Sequence, residues 1–262
     1  MKSYNKFLKN LNTEIATLSE EKLNLSGGIV ECIKFENRLL FSRTPSLKNL
    51  NIIEFGCGVF PACFGLPNKS MPNIYIASDP SKKLINVAKS IDSRPLYKIF
   101  DLEKKLKIKS KKFDIIILKG VLHHLKYPQN ALKKVSKILK YNGVIIVSEP
   151  NLSSIVANLM KWILKFFFKI SMEASPYGQL KQSKIRSSFN KANLDIISEW
   201  YVSLIAFPLT GSHGRIPILP DKKIIFIILL AIEKQISKIL NKFILLAKIS
   251  HFKVNFIVKK RD

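Results

Sequence analysis

Acidic residues are scarce in this chain: 18 Asp and Glu stand against 44 Lys and Arg, a formal net charge of +26. A basic surface favours an anionic partner, whether nucleic acid, an anionic membrane or an anionic small molecule. Charge alone does not separate these. Lysine far outnumbers arginine and is spread along the whole chain together with abundant Ile and Asn. A solvated lysine surface therefore reads better than an RNA site. Cysteine is also scarce. Cys32, Cys57 and Cys63 have no metal-ligand spacing and make no even set, which argues against a metal site and a disulfide framework. A reduced, cytoplasmic compartment fits, and Met1 to Lys6 lack the apolar core of a signal peptide. No apolar run reaches the roughly 20 residues of a membrane span. What is plentiful is core material: 47% hydrophobic residues with 17 Phe.

One stretch organises the rest. Asn51 to Gly58 reads Asn-Ile-Ile-Glu-Phe-Gly-Cys-Gly, an apolar run leading through an acid into a Gly-x-Gly turn. Glycines there let the chain turn sharply and let a flat ligand lie on the backbone. Alone the motif is weak, since many such pairs only make tight turns. A second apolar run, Asn73 to Ser78, ends in Asp79, 21 residues after Gly58. That separation suits a second parallel strand delivering a carboxylate to the ribose hydroxyls of a nucleoside.

Glu-Phe-Gly-Cys-Gly followed by Ser-Asp-Pro-Ser resembles the first two motifs of class I S-adenosylmethionine-dependent methyltransferases. Phe113 to Leu132 and Val135 to Asn151, with His-His-Leu in the first block and Ser-Glu-Pro-Asn ending the second, resemble the fourth-strand, helix and fifth-strand block of the small-molecule branch. The resemblance implies a doubly wound α/β fold. Its mostly parallel, seven-stranded Rossmann-like sheet would carry helices on both faces and extra late helices. It implies one domain over 1–262, with an N-terminal cap (1–48), a cofactor-binding core (49–151) and substrate-side helices with the last two strands (152–262). It also implies an S-adenosyl-L-methionine crevice formed by Glu54, Gly56, Gly58, Asp79, Asp101, Leu102, Lys119, Gly120 and Val121. Glu54 would steady the glycine turn or meet the methionine amino group. Asp101 would accept from the adenine amine, or simply cap the next turn. His123 and His124, at the crevice mouth, are the candidate bases, because an imidazole titrates near neutrality. The bland alternative is that His-His-Leu is structural.

The chain departs from the family after Gly58, where Phe60 replaces the usual third glycine. Pro61, Gly65, Pro67 and Pro72 interrupt the expected helix, leaving room for a short one from Pro61 to Leu66 whose N–H groups would face the cofactor. Other expectations follow from pattern. Residues 4–25 read as a helix stopped by Ser26-Gly27-Gly28, and Ile29 to Arg43 as helix or strand. A helix from Pro128 carries Ala131, Leu132, Val135, Ile138 and Leu139 inward until Asn142-Gly143 gives a left-handed stop. Strand five is then Val144 to Ser148. Later come an apolar helix from Ile155 to Met172 with Lys161, Lys165 and Lys169, a helix at Lys181 to Ala192, and strand six at Asp195 to Ser203. One long helix then spans Lys222 to Ile249, with Lys234, Lys238 and Lys242, before a last strand at Phe252 to Lys259. His213 falls in a glycine-bearing loop that faces substrate or only makes a turn.

Three functions compete. The first is methyl transfer, O-methylation favoured, to a small, lipid-like or glycan-linked acceptor at the inner membrane surface. The second is RNA methylation, and the third a binding module that kept the fold but lost the cofactor. Nucleic-acid base amino groups are disfavoured, because no Asn-Pro-Pro-Tyr follows strand four.

Overall fold

A computed structural model describes residues 27–44, 46–106, 108, 112–168, 180–210 and 219–261. The expected helix at 4–25, Lys169 to Met172 and His213 lie outside the described residues, as do the side chains of Lys161 and Lys165. Seven strands form one sheet in the order β3-β2-β1-β4-β5-β7-β6. They are β1 (Asn51–Phe55), β2 (Ile74–Ser78), β3 (Leu96–Lys98), β4 (Phe113–Lys119), β5 (Leu139–Pro150), β6 (Leu194–Val202) and β7 (Lys253–Lys260). β7 runs antiparallel to both neighbours, β5 and β6, and the other pairs are parallel. Strand order reverses between β1 and β4, so a crevice opens beyond the carboxyl ends of these two strands.

The central strands are buried on both faces, which is why they read as near-continuous Ile, Leu and Val. Ile53, Phe55, Ile116, Leu118, Ile145 and Val147 face one core with α3 (Pro128–Ser136) and α5 (Gln182–Lys191). Ile52, Ile115, Ile117 and Ile146 face the other, with α1 (Gly28–Leu40) and α2 (Lys82–Ile91). Among the described residues the remaining α-helices are α4 (Ile155–Phe168), the short α6 (Ala206–Leu209), α7 (Lys223–Leu240) and α8 (Ile244–Ser250).

Three local readings of the sequence are corrected, at α3, at α7 and at Pro61 to Leu66. Gly27 and Gly28 open α1, and a Cβ on Gly28 would lie 2.0 Å from the Phe226 ring of α7. The Asp221 carboxylate accepts the Ile29 N–H at 2.8 Å, so a distant residue satisfies an orphan donor of α1. α3 ends at Ser136 and β5 begins at Leu139, which pairs with Phe113 across a register shift. Gly143 lies inside that strand and supplies no left-handed stop. The run from Lys222 to Ile249 is two helices, broken at Asn241. The Asn241 side chain accepts the Tyr201 N–H at 2.8 Å and donates to the Tyr201 carbonyl at 2.9 Å, satisfying backbone on the edge strand β6. No helix forms at Pro61 to Leu66. Isolated turns close from Phe64 N–H to the Pro61 carbonyl and from Leu66 N–H to the Cys63 carbonyl, with Gly65 at φ +92°.

Candidate functional site

The residues singled out in the sequence converge on the carboxyl edge of β2, β1 and β4. The two glycines after β1 are needed for different reasons. Gly56, at φ +71°, would place a Cβ 2.5 Å from the Val121 side chain, so it also seats the turn after β4. Gly58, at φ +58°, has no atom within 4 Å of its Cβ position, leaving an open cradle over the backbone. Beside it, Asp79 accepts the Gly58 N–H at 3.1 Å and the Ser81 N–H at 2.9 Å. Asp79 as a whole is only 5% exposed. Burial outweighs those hydrogen bonds and pushes its pKa up to about 6.

Asp101 follows β3, and one of its oxygens accepts the Glu103 N–H at 2.9 Å, the turn-capping geometry. Leu102 is buried in the core that includes Phe55. Gly120 donates its N–H to the Ser148 carbonyl at 2.7 Å, closing the turn after β4 against β5. The open cradle, the adjoining buried carboxylate and the apolar walls of Leu102 and Val121 fit a nucleoside cofactor.

Glu54 is fully buried, and it holds the chain beyond the glycines rather than the glycine turn itself. One oxygen accepts the Ala62 N–H at 2.8 Å and the Tyr75 hydroxyl at 2.6 Å, while the other, Oε1, has no hydrogen-bond partner. Desolvation raises its pKa, opposed first by the Lys119 charge. Lys119 donates to the Asn37 side-chain oxygen at 3.0 Å and the Phe60 carbonyl at 2.9 Å. Its own pKa is lowered by burial, with Glu54 opposing. Asn37, from α1, donates in turn to the carbonyls of Pro61 and Phe64. The rebuilt loop is thus fixed by buried polar groups from three elements. Phe60 contributes its carbonyl to this clasp, and its ring rests near Phe64 at 5.2 Å between centroids.

The structure separates the two histidines. His123 Nδ1 lies 2.6 Å from an oxygen of Glu149. Glu149 is 1% exposed, and its other oxygen accepts the N–H groups of Val121 and Leu122 at 2.9 and 2.7 Å. A carboxylate held in this way fixes the imidazole with its proton on Nδ1, which makes Nε2 the basic nitrogen. His124 stacks near His123 with centroids 3.9 Å apart, and burial followed by the His123 charge lowers its pKa to about 3. It is a poor proton acceptor at neutral pH. Sequence reasoning missed Glu149, Asn37 and Tyr75. Glu149 alone left a trace, as an acid ending an otherwise apolar buried strand.

Cys57 and Cys63 are buried nearby with thiol pKa values pushed well up by desolvation, so neither is a ready thiolate. Among the described residues, no group of three His, Cys, Asp or Glu is placed to hold a metal ion.

Comparison with known proteins agrees with this geometry. A methyltransferase-domain family model matches residues 46–193. A ubiquinone biosynthesis O-methyltransferase of Pelagibacter ubique (strain HTCC1062) is 31% identical over 110 residues, 40% of this chain and 44% of its own length. The chain spans less than half the length of the curated relatives it matches. Among solved structures, a complex of the Haloferax volcanii Trm112 methyltransferase activator and a methyltransferase superposes with a TM-score of 0.58. It is 12% identical, over 90% of this chain and 92% of that one. An S-adenosylmethionine-dependent methyltransferase of Archaeoglobus fulgidus gives 0.56 at 13% identity, over 87% and 94%. With more than half of its length matched by the family model, and with the sheet order and glycine cradle described above, the chain belongs to the class I S-adenosylmethionine-dependent methyltransferases.

Proposed function

We propose that the protein methylates a hydroxyl oxygen of a small, lipid-like or glycan-linked acceptor, with His123 as the general base and Glu149 as its positioning residue. The observation that carries this reading is the 2.6 Å contact between His123 Nδ1 and the buried Glu149 carboxylate. The similarity to a ubiquinone biosynthesis O-methyltransferase supports the acceptor class.

The cofactor, when bound, supplies an electrophilic methyl group on a sulfonium. Gly56, Gly58, Asp79, Asp101, Leu102, Gly120 and Val121 are assigned to its crevice, with Glu54 and Lys119 fixing the loop beside it. Asp79 would accept from the ribose hydroxyls, and the Gly58 cradle would admit the ligand to the backbone. His123 Nε2 takes the acceptor's hydroxyl proton, and Glu149 stabilises the imidazolium. Alignment of acceptor and methyl supplies the larger share of catalysis, roughly 7–11 kcal/mol.

Labelled cofactor incubated with soluble-metabolite, lipid and RNA extracts should label an alkali-stable methyl ether among the small or lipid-like products. Label confined to RNA would overturn this acceptor class in favour of RNA methylation, which the +26 charge keeps in view. Titration of Asp79 gives a second test. S-adenosylhomocysteine affinity should fall roughly tenfold from pH 7 to pH 5, as the carboxylate with a pKa of about 6 takes up its proton. Asp79→Asn should bind weakly with a flat profile. The sign for stability is opposite: a pKa raised from 3.8 contributes stability below about pH 4, lost as pH rises through about 6. A flat calorimetric profile for the unmodified protein would remove Asp79 from the ribose site.

A further inference from the structure

Five isoleucines on α7, namely Ile224, Ile228, Ile232, Ile236 and Ile239, recur every three or four residues and form one exposed stripe. Lys234 and Lys238, also exposed and four apart, run along its edge. The opposite face of α7 carries Phe226, Leu230 and Glu233 inward. The pattern continues. Phe243 to Leu246 are all exposed across the start of α8, with Leu245 at 73%. α4 shows Ile155, Leu159, Trp162 and Phe166 at the same helical spacing, with the Trp162 and Phe166 rings stacked at 5.4 Å. α8 packs against both α4 and α7, so the three exposed apolar stripes lie on neighbouring helices. Soluble monomers rarely leave such a face open.

We infer that this face of α4, α7 and α8 docks on an anionic lipid bilayer. Charge selects that occupant. Between residues 222 and 250 the sole acid is Glu233, and it is turned inward, accepting the backbone N–H groups of Leu204, Ile205 and Ala206. The exposed charges on α7 and the turn after it are therefore cationic: Lys223, Lys234, Lys238 and Lys242. A second copy of the chain would bring the same basic edge against it. An apolar stripe flanked by lysines is the arrangement of an interfacial helix. Among the described residues, no helix is long and apolar enough to cross a membrane. α4 follows the end of β5, while α7 and α8 lie between the end of β6 and the start of β7. The start of β7 pairs with both of those ends, so the face springs from the edge of the sheet that bears the crevice. A lipid-like acceptor would thus enter from the docked side.

The test needs neither cofactor nor acceptor, so its outcome is independent of the acceptor assigned above. The full chain should sediment with phosphatidylcholine vesicles containing phosphatidylglycerol, far less with phosphatidylcholine alone, and less as salt rises. Changing Lys234, Lys238 and Lys242 to Gln should weaken partitioning roughly a hundredfold, at about fivefold per lysine. Ile228→Asn with Ile232→Asn should weaken it also, and both positions are exposed, so circular dichroism should be unchanged. Equal, negligible sedimentation with both vesicle types would overturn the inference. So would a lipid-free dimer in analytical ultracentrifugation that the isoleucine variants dissociate.

Discussion

His123→Ala should slow methyl transfer by about 10²–10⁴-fold, the range that one positioned base contributes. Affinity for S-adenosylhomocysteine should stay near that of the parent, because the loss falls on proton transfer. Glu149→Gln should lose activity for a different reason. The Gln oxygen can still accept from Val121 and Leu122, but its amide then points a donor at His123 Nδ1. The imidazole must answer by placing its proton on Nε2, and the basic nitrogen facing the acceptor is gone. The acid limb of the pH–rate profile should therefore move as well as the rate, a shift that a merely structural role would not produce. Glu149→Asp should restore part of the activity. His124→Asn should do little, since burial already holds His124 neutral. An equal loss on replacing His124, or no loss on replacing His123, would sink the assignment.

The parts of the site that were legible in the sequence are those written locally. A parallel strand buried on both faces announces itself by composition, and Glu54, Gly56, Asp79, Lys119 and Gly120 lie in, end or directly follow such a run. The glycine turn, Asp79 and the His-His pair could therefore be placed before any contact was known. Their partners could not. Glu149 lies 26 residues from His123 and reaches it because β4 and β5 are parallel neighbours ending at the same edge. Asn37 and Lys119 are 82 residues apart. The apolar periodicity also misled where it was ambiguous. Val135, Ile138 and Leu139 all turn inward, so the end of α3 and the start of β5 satisfy one helical pattern, and only pairing with Phe113 separates them. The long late helix breaks because Asn241 is drawn to the edge of β6, a tertiary demand absent from local sequence.

The clasp around Glu54 should dominate stability. Glu54→Ala removes the acceptor for the Ala62 N–H and the Tyr75 hydroxyl, and leaves the Lys119 ammonium buried without its counter-charge. Leaving two buried donors without their acceptor and a buried charge uncompensated in this way costs about 3–5 kcal/mol, a large share of the roughly 5–15 kcal/mol that holds a domain together. Lys119→Met should be milder, since Glu54 can respond by taking up a proton: its pKa is already raised by burial, and the main cause opposing that rise is Lys119 itself. The informative protein is the double variant Glu54→Gln, Lys119→Met. Gln keeps one oxygen for Ala62 and Tyr75, Met fills the lysine stem, and no charge remains to be desolvated. Replacing a buried pair with neutral groups of similar size is often close to neutral. Urea unfolding should therefore place the double variant nearer the parent than the sum of Glu54→Gln and Lys119→Met predicts, with a coupling of about 1–3 kcal/mol. Strict additivity would mean that the two charges do not sense one another, and that Asn37 and the Phe60 carbonyl alone hold Lys119 in place.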